Sequence, residues 1–268
     1  NVTTTSVEVR YCEMESGDTC DGHTSEDVAW YAVAPGLLGT AGGDLTIDTT
    51  GTVNGTVDLG GFDNSGGEYL LGLNINTGGA DVFMHGDVLL DSPLGAQFTV
   101  GGGGNIILSD NVSIDTEMGG DDIAGDLDFE FNAFSADGPG HDLLLDTEGA
   151  TDGGIKLAEL NNAGGFYLND VTINNGSATI ELNGDITLDT VGADTADFIV
   201  NGTGDILVNE DITIDIEDGD DAPAGTRDIS NAVITTIATF DSGEAGTFVS
   251  PGNGAWVTVN FARSYDSP

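Results

Sequence analysis

The sequence predicts an all-β fold, a parallel β-solenoid, on three observations. A five-residue phrase reading polar, apolar, any, apolar, polar recurs along the chain: "DLTID" at Asp44–Asp48, "NVSID" at Asn111–Asp115, "DITLD" at Asp185–Asp189, "DILVN" at Asp205–Asn209 and "DITID" at Asp211–Asp215. A longer succession of such phrases occurs twice, with no linker between the copies. The repeated part contains no amphipathic helix of useful length.

Each phrase is a strand by its alternation and its Val, Ile and Thr content, with one side facing a core and the other facing water. Gly, Asn and Asp at its ends stop it, because they tolerate the backbone angles of tight turns. The longer echo pairs "DLTIDTTG" (Asp44–Gly51) with "DLLLDTEG" (Asp142–Gly149). It also pairs "NSGGEYLLGLNI" (Asn64–Ile75) with "NAGGFYLNDVTI" (Asn162–Ile173), and "HGDVLLD" (His85–Asp91) with "NGDITLD" (Asn183–Asp189). These offsets are 98 residues. After a two-residue insertion "GGNIIL" (Gly103–Leu108) meets "TGDILV" (Thr203–Val208) at an offset of 100. The reading is two tandem modules, 44–141 and 142–230, between a cap or connector strand at 1–43 and a cap or subunit joint at 231–268.

Short strands with frequent turns also suit an antiparallel sandwich or barrel. Tandem copies without a linker favour the solenoid, since both continue one stack around one core. Coils of roughly 20 to 30 residues stacked about 4.8 Å apart are expected.

"GDITLD", "GNIILSDNVSIDTE" and "NGTGDILVNEDITIDIE" resemble the strand repeats of filamentous-haemagglutinin-like adhesins and related giant bacterial surface proteins. The resemblance covers about residues 44–230. It implies a right-handed β-helix, secretion, and a role in adhesion or as filament and matrix material. No "NPNG" type secretion signature is present, so the export route is open.

The flanks differ in style. "TTSVEVRY" places Val7, Val9 and Tyr11 on one side. "TSEDVAWYAVAPG" reads as a short helix capped at Thr24 and ended at Pro35, or as an extra strand; either way Trp30 would help cover the first coil. "AWVTVNFARSY" near the other end carries Trp256 and Phe261. A solenoid end is a template for strand addition unless it is capped or used. A head-to-tail joint that does not close makes a filament. Val7, Val9, Tyr11, Trp30, Trp256 and Phe261 are therefore the assembly candidates. Cys12 and Cys20, with seven residues between them, form a local disulfide in an oxidising compartment or stay as two thiols.

The charge is extreme: 47 acidic side chains against four basic, a net of −43. In-register coils would align like charges about 5 Å apart, each pair repelling by a little under ~1 kcal/mol in a water-like dielectric. Dozens of pairs would rival a whole domain's stability of about 5–15 kcal/mol. Divalent cations, high salt, or turns that splay the carboxylates are the expected remedies. "SIDTEMGGDDIAGDLDF" (Ser113–Phe129) and "TIDIEDGDDAPAGTRDI" (Thr213–Ile229) hold the densest acid. Asp115, Glu117, Asp121, Asp122 and Asp126, with Asp215, Glu217, Asp218, Asp220 and Asp221, form two candidate Ca2+ loops, carboxylate and carbonyl oxygens being the ligands calcium takes. Neither has EF-hand spacing, and a merely solvated acidic loop is the competing reading.

Nucleic acid is excluded as a partner, because phosphate contact needs Lys and Arg. No segment has the roughly 20 apolar residues of a membrane helix. Catalysis on acidic polysaccharide would want clustered basic residues, and Arg10, Lys156, Arg227 and Arg263 are far apart, as are His23, His85 and His141. The chain reads as a non-enzymatic, extracellular or cell-surface structural protein that assembles into a head-to-tail homo-oligomer, with a glycan-binding adhesin module as the alternative. Sequons at Asn1, Asn54, Asn111, Asn175 and Asn201 are formal glycan acceptors.

Overall fold

The computed structural model describes residues 43–63, 70–119, 122–190, 195–209, 211–216, 226–229 and 233–236. These residues form an all-β parallel solenoid whose chain visits three sheets in rotation. The first sheet stacks Gly43–Asp48, Leu70–Asn76, Gln97–Gly101, Leu127–Phe129, Ile155–Leu157, Ile180–Leu182, Asp205–Val208 and Val233–Thr236. The second stacks Val57–Leu59, Val82–Met84, Ile106–Leu108 and Phe134–Ala136. Single-residue bridges through Leu160 carry it on to Ile186–Thr187 and Ile214–Asp215. The third stacks Phe62–Asp63, Val88–Leu89, Val112–Asp115, Leu143–Asp146, Val171–Asn174, Phe198–Val200 and Arg227–Asp228. All strand pairings are parallel, as the repeat pattern anticipates.

Register measures the coil. Leu45, Leu73, Phe98, Leu127, Ile155, Ile180, Ile206 and Ile234 stand in one column, so successive coils take between 25 and 29 residues. At about 4.8 Å per step that column is roughly 34 Å tall.

Alternation decides what is buried. Val112–Asp115, Leu143–Asp146 and Val171–Asn174 each read buried, partly exposed, buried, partly exposed. The inward residues of all three sheets merge into one apolar core running from Ile47 to Ile216. Each fully buried Leu, Ile, Val or Phe contributes roughly 1.5–3 kcal/mol of transfer free energy. Within the core the Phe129 ring meets those of Phe98 and Phe134 edge to face.

The alternation breaks on the second sheet. Ile107 and Ser135 point outward by register, yet they are 4% and 0% exposed. The segment 161–167 folds across them. Gly164 N–H donates to Ser135 Oγ (2.9 Å), and Ala136 and Phe166 exchange two antiparallel backbone bonds of 2.9 and 3.1 Å. An outward isoleucine is thus covered by a loop from a later coil.

The continuous stack also shows what the hundred-residue echo is. Asp44–Gly51 starts on the first sheet and its match Asp142–Gly149 on the third. His85–Asp91 crosses the third sheet and Asn183–Asp189 the second. Gly103–Leu108 runs into the second and Thr203–Val208 into the first. The offset therefore spans three coils plus two further faces, and each phrase reappears on a different side of the rod.

Candidate functional site

Aspartate at the start of a strand has a specific task. A backbone N–H just ahead of a strand, or on the second strand residue in the case of Ser113, is directed to the coil before it. A carboxylate from that coil accepts it. Asp87 Oδ1 takes the Ser113 N–H (2.8 Å), Asp126 Oδ1 that of Gly154 (2.7 Å), Asp170 Oδ1 that of Asp197 (2.9 Å) and Asp185 Oδ1 that of Thr213 (2.7 Å). Asp197 does the same for Thr226, and Asp81 for Asn105. Asp142 Oδ1 accepts both the Asp170 N–H (3.2 Å) and Asn169 Nδ2 (2.9 Å), while its Oδ2 accepts Asn111 Nδ2 (3.3 Å).

Magnitudes show why this arrangement holds. A hydrogen bond to a charged acceptor is worth about 1.5–3 kcal/mol. The repulsion between neighbouring carboxylates at coil spacing is a little under ~1 kcal/mol when solvated. Asp152 shows the preference for the charged form. The Ser177 N–H is the main cause holding its carboxyl below the ordinary 3.8, with the Ser177 hydroxyl and the Gly149 N–H adding to it against an opposing effect of burial. Because the folded pKa is depressed, that contribution is present at neutral pH and lost as the pH falls below 3.8. Backbone donors on the next coil thus do part of the work that the sequence assigned to cations or salt.

Asp142→Ala is expected to destabilise the rod by about 2–3 kcal/mol, because three donors lose their acceptor, and Asp142→Asn by roughly 1 kcal/mol. The urea midpoint reads both. Equal midpoints for Asp142→Ala and the parent would show that these contacts add nothing.

The other end of the phrase makes the corner. Asp48, Asp115 and Asp146 each accept the N–H two residues on, at 2.9, 2.9 and 3.0 Å, closing an Asx turn. The next residue turns inward and bridges the corner: Thr116 Oγ1 donates to Gly125 O (2.9 Å) and Thr147 Oγ1 to Gly153 O (2.7 Å), while Asn175 Nδ2 reaches Ala178 O. All three are buried.

One corner concentrates charge. Asp115 stands directly opposite Asp146 on the next coil, an arrangement that is destabilising for like charges. Higher up, the same column changes to amide: Asn174 Nδ2 donates to Asp146 Oδ2 (2.8 Å) and Asn201 Nδ2 to Asn174 Oδ1 (2.9 Å). Glu117 is 3% exposed; its Oε1 accepts the Gly119 N–H (3.2 Å), and its Oε2 meets no hydrogen-bond partner among the described residues. The Asp115 carboxyl is pushed up to about 6, chiefly by burial and then by the charges of Asp146, Glu117 and Asp91, against the Glu117 N–H that lowers it.

The candidate calcium ligands separate accordingly. Asp115 and Glu117 come together. Asp126 faces the first sheet, where it caps Gly154, and Asp122 lends its backbone carbonyl to Ala150 (2.7 Å). Asp215 lies exposed on the second sheet, not opposite Asp115 on the third. Among the described residues no three His, Cys, Asp or Glu side chains are placed to hold a metal ion. Asp121, Glu217, Asp218, Asp220 and Asp221 lie outside the described residues, as do Cys12, Cys20, Val7, Val9, Tyr11, Trp30, Trp256 and Phe261. Sequence reasoning missed Asp91 and Asp146 as members of the acidic corner, since only register brings them there. Four sequon asparagines spend their amide on structure. Asn54 donates to Gly78 O, Asn111 to Asp142, Asn175 to Ala178 O and Asn201 to Asn174, and Asn175 is fully buried.

Comparison of the chain with protein-family models, curated proteins and solved structures finds no match.

Proposed function

We propose that this chain is an extracellular structural protein, a rod-shaped unit of a filament, biofilm matrix or surface layer, akin to the filamentous-haemagglutinin-like surface proteins its phrases resemble. The observation that carries this reading is where the acid goes. Aspartates from Asp81 to Asp197 cap backbone N–H groups on the following coil, so the side chains richest in chemistry hold the rod to itself. A highly charged exterior around a register-locked stack suits a stiff, soluble spacer.

Light scattering over a range of protein concentrations, with electron microscopy of the same samples, tests the reading. Linear particles growing head to tail are the expected result. Isolated rods at every concentration, with and without calcium, would remove the assembly role.

A second reading, an adhesin module for a glycan, draws on a shallow groove on the outer side of the first sheet. It is lined by Gln97, Thr99, Asp128, Lys156, Thr179 and Glu181. Lys156 Nζ stands 3.9 Å from Asp128 Oδ2 and 3.7 Å from Glu130 Oε2 there. Binding on a glycan array that disappears in a Lys156→Ala variant would promote it.

A further inference from the structure

We propose that the outer side of the first sheet, with the corner it runs into, holds an uncharged polysaccharide chain. The inference rests on the adhesin reading and narrows it to one class of glycan. Thr99, Asp128, Lys156 and Glu181 stand in one outward column on four successive coils, three steps or roughly 14 Å tall. With Gln97 and Thr179 they line a hollow of about 230 Å3. A second hollow, of about 290 Å3, is lined by Glu130, Phe131, Asn183 and Asn209. Lys156 Nζ joins the two, being 3.9 Å from Asp128 Oδ2 in the first and 3.7 Å from Glu130 Oε2 in the second. Each hollow falls below the roughly 300 Å3 at which a pocket encloses a small molecule. Joined end to end, they suit a chain laid along the surface.

Three observations point to a ligand there. Aspartates elsewhere on the rod serve the next coil, as Asp87 and Asp170 do. Among the described residues the side chains of Gln97, Thr99, Thr179 and Glu181 make no hydrogen bond or ion pair. Phe131 is 66% exposed, whereas Phe98, Phe129, Phe134 and Phe198 are at most 1% exposed. Its ring offers an apolar face on which the C–H side of a sugar can stack. Gly154 forms part of the floor of the first hollow, yet its backbone lies outside the left-handed region. A Cβ there would meet only Thr179 O at 3.4 Å and Asp126 Oδ1 at 3.5 Å, which are ordinary contacts. The fold does not require glycine at 154, and its effect is to keep the hollow open. Charge then selects the class. The carboxylates of Asp128, Glu130 and Glu181 repel a uronate or sulfate, and Lys156, in register between Asp128 and Glu181, repels an amine. A hydroxyl both donates and accepts, so a neutral sugar can meet both signs.

The test uses the full chain on an array of neutral, uronate and free-amine oligosaccharides at about 0.15 M salt, where distant charges are screened. Neutral members are expected to bind and the charged ones to fail. Phe131→Ala and Gly154→Val should each weaken that binding at least about tenfold, the loss of one good contact, while Tm stays at the parent's value. Amide NMR of the parent with a neutral oligosaccharide that binds should show shifts at 97–99, 128–131, 154–156 and 179–183, a readout that needs no variant to fold. Binding of charged members alone would leave the adhesin reading standing and overturn the neutral class. Neutral binding that neither variant alters, or shifts scattered along the rod, would overturn the site. Silence of the whole array would remove the adhesin reading and this inference together.

Discussion

Replacing Phe129 with alanine is expected to destabilise the rod by about 4–5 kcal/mol. The ring is fully buried, so its loss removes transfer free energy and leaves a cavity that stacked backbone cannot close. It also removes two edge-to-face contacts, with Phe98 at 5.4 Å and with Phe134 at 5.0 Å between centroids, each worth about 0.5–1.5 kcal/mol beyond area. Phe134 lies on the second sheet, so Phe129 ties two faces of the rod together. Each coil of a solenoid contacts only its neighbours. Hydrogen exchange in Phe129→Ala should therefore quicken most around 98–100, 106–108, 127–136 and 155–157, and least near residues 45 and 206. A uniform loss of protection along the rod would argue against nearest-neighbour energetics. A shift of the urea midpoint equivalent to less than about 1 kcal/mol would show that the ring is not the packing centre.

Gly153→Ala is expected to cost at least about 3 kcal/mol, the upper part of the usual overpacking range. A Cβ at this position would stand 2.1 Å from the Gly125 carbonyl oxygen and 2.6 Å from its carbon. Both are backbone atoms of the adjacent coil, which side-chain rotation cannot move. Gly153 is also fixed at both ends, its N–H donating to Thr147 O (2.9 Å) and its carbonyl accepting Thr147 Oγ1 (2.7 Å). Relief would mean prising two coils apart or breaking the corner. The same approach repeats one coil down, where a Cβ on Gly125 would sit 2.0 Å from Ala96 O. Gly60→Ala is the control: it is exposed, nothing stands within 4 Å of the added carbon, and a gain of up to about 1 kcal/mol is expected from the stiffer unfolded chain. Comparable losses at both positions would mean that the corner spacing does not restrict residue 153.

Much of this architecture was legible in the residues. Val112, Ile114, Leu143, Leu145, Val171 and Ile173 are buried where two-residue alternation puts them, because a strand has no other way to divide its side chains between core and water. The closing Asp makes the turn its type favours at Asp48, Asp115 and Asp146. The first Asp of each phrase was visible too, but its role was not. The donor it serves lies on the next coil, 26 residues on for Asp87 and 28 for Asp142, and no local pattern announces that distance. Ile107 holds an outward position by alternation along its strand, and a loop more than fifty residues further along the chain buries it.

Taken alone, the sequence determined that strands form, which residues face inward, where corners turn and that coils repeat. These follow from alternation and turn chemistry, which act over a few residues. Tertiary structure alone decided which phrases become neighbours. Coil length varies with each corner, so a repeat of nearly a hundred residues returns to a different face, and Asp115 and Asp215 do not share a column. Register across 31 residues sets Asp146 against Asp115 and concentrates charge at one corner, while higher in the same column asparagines relieve it. The physical reason is that coil-to-coil hydrogen bonding is satisfied by whichever backbone arrives in line, however far along the chain it began.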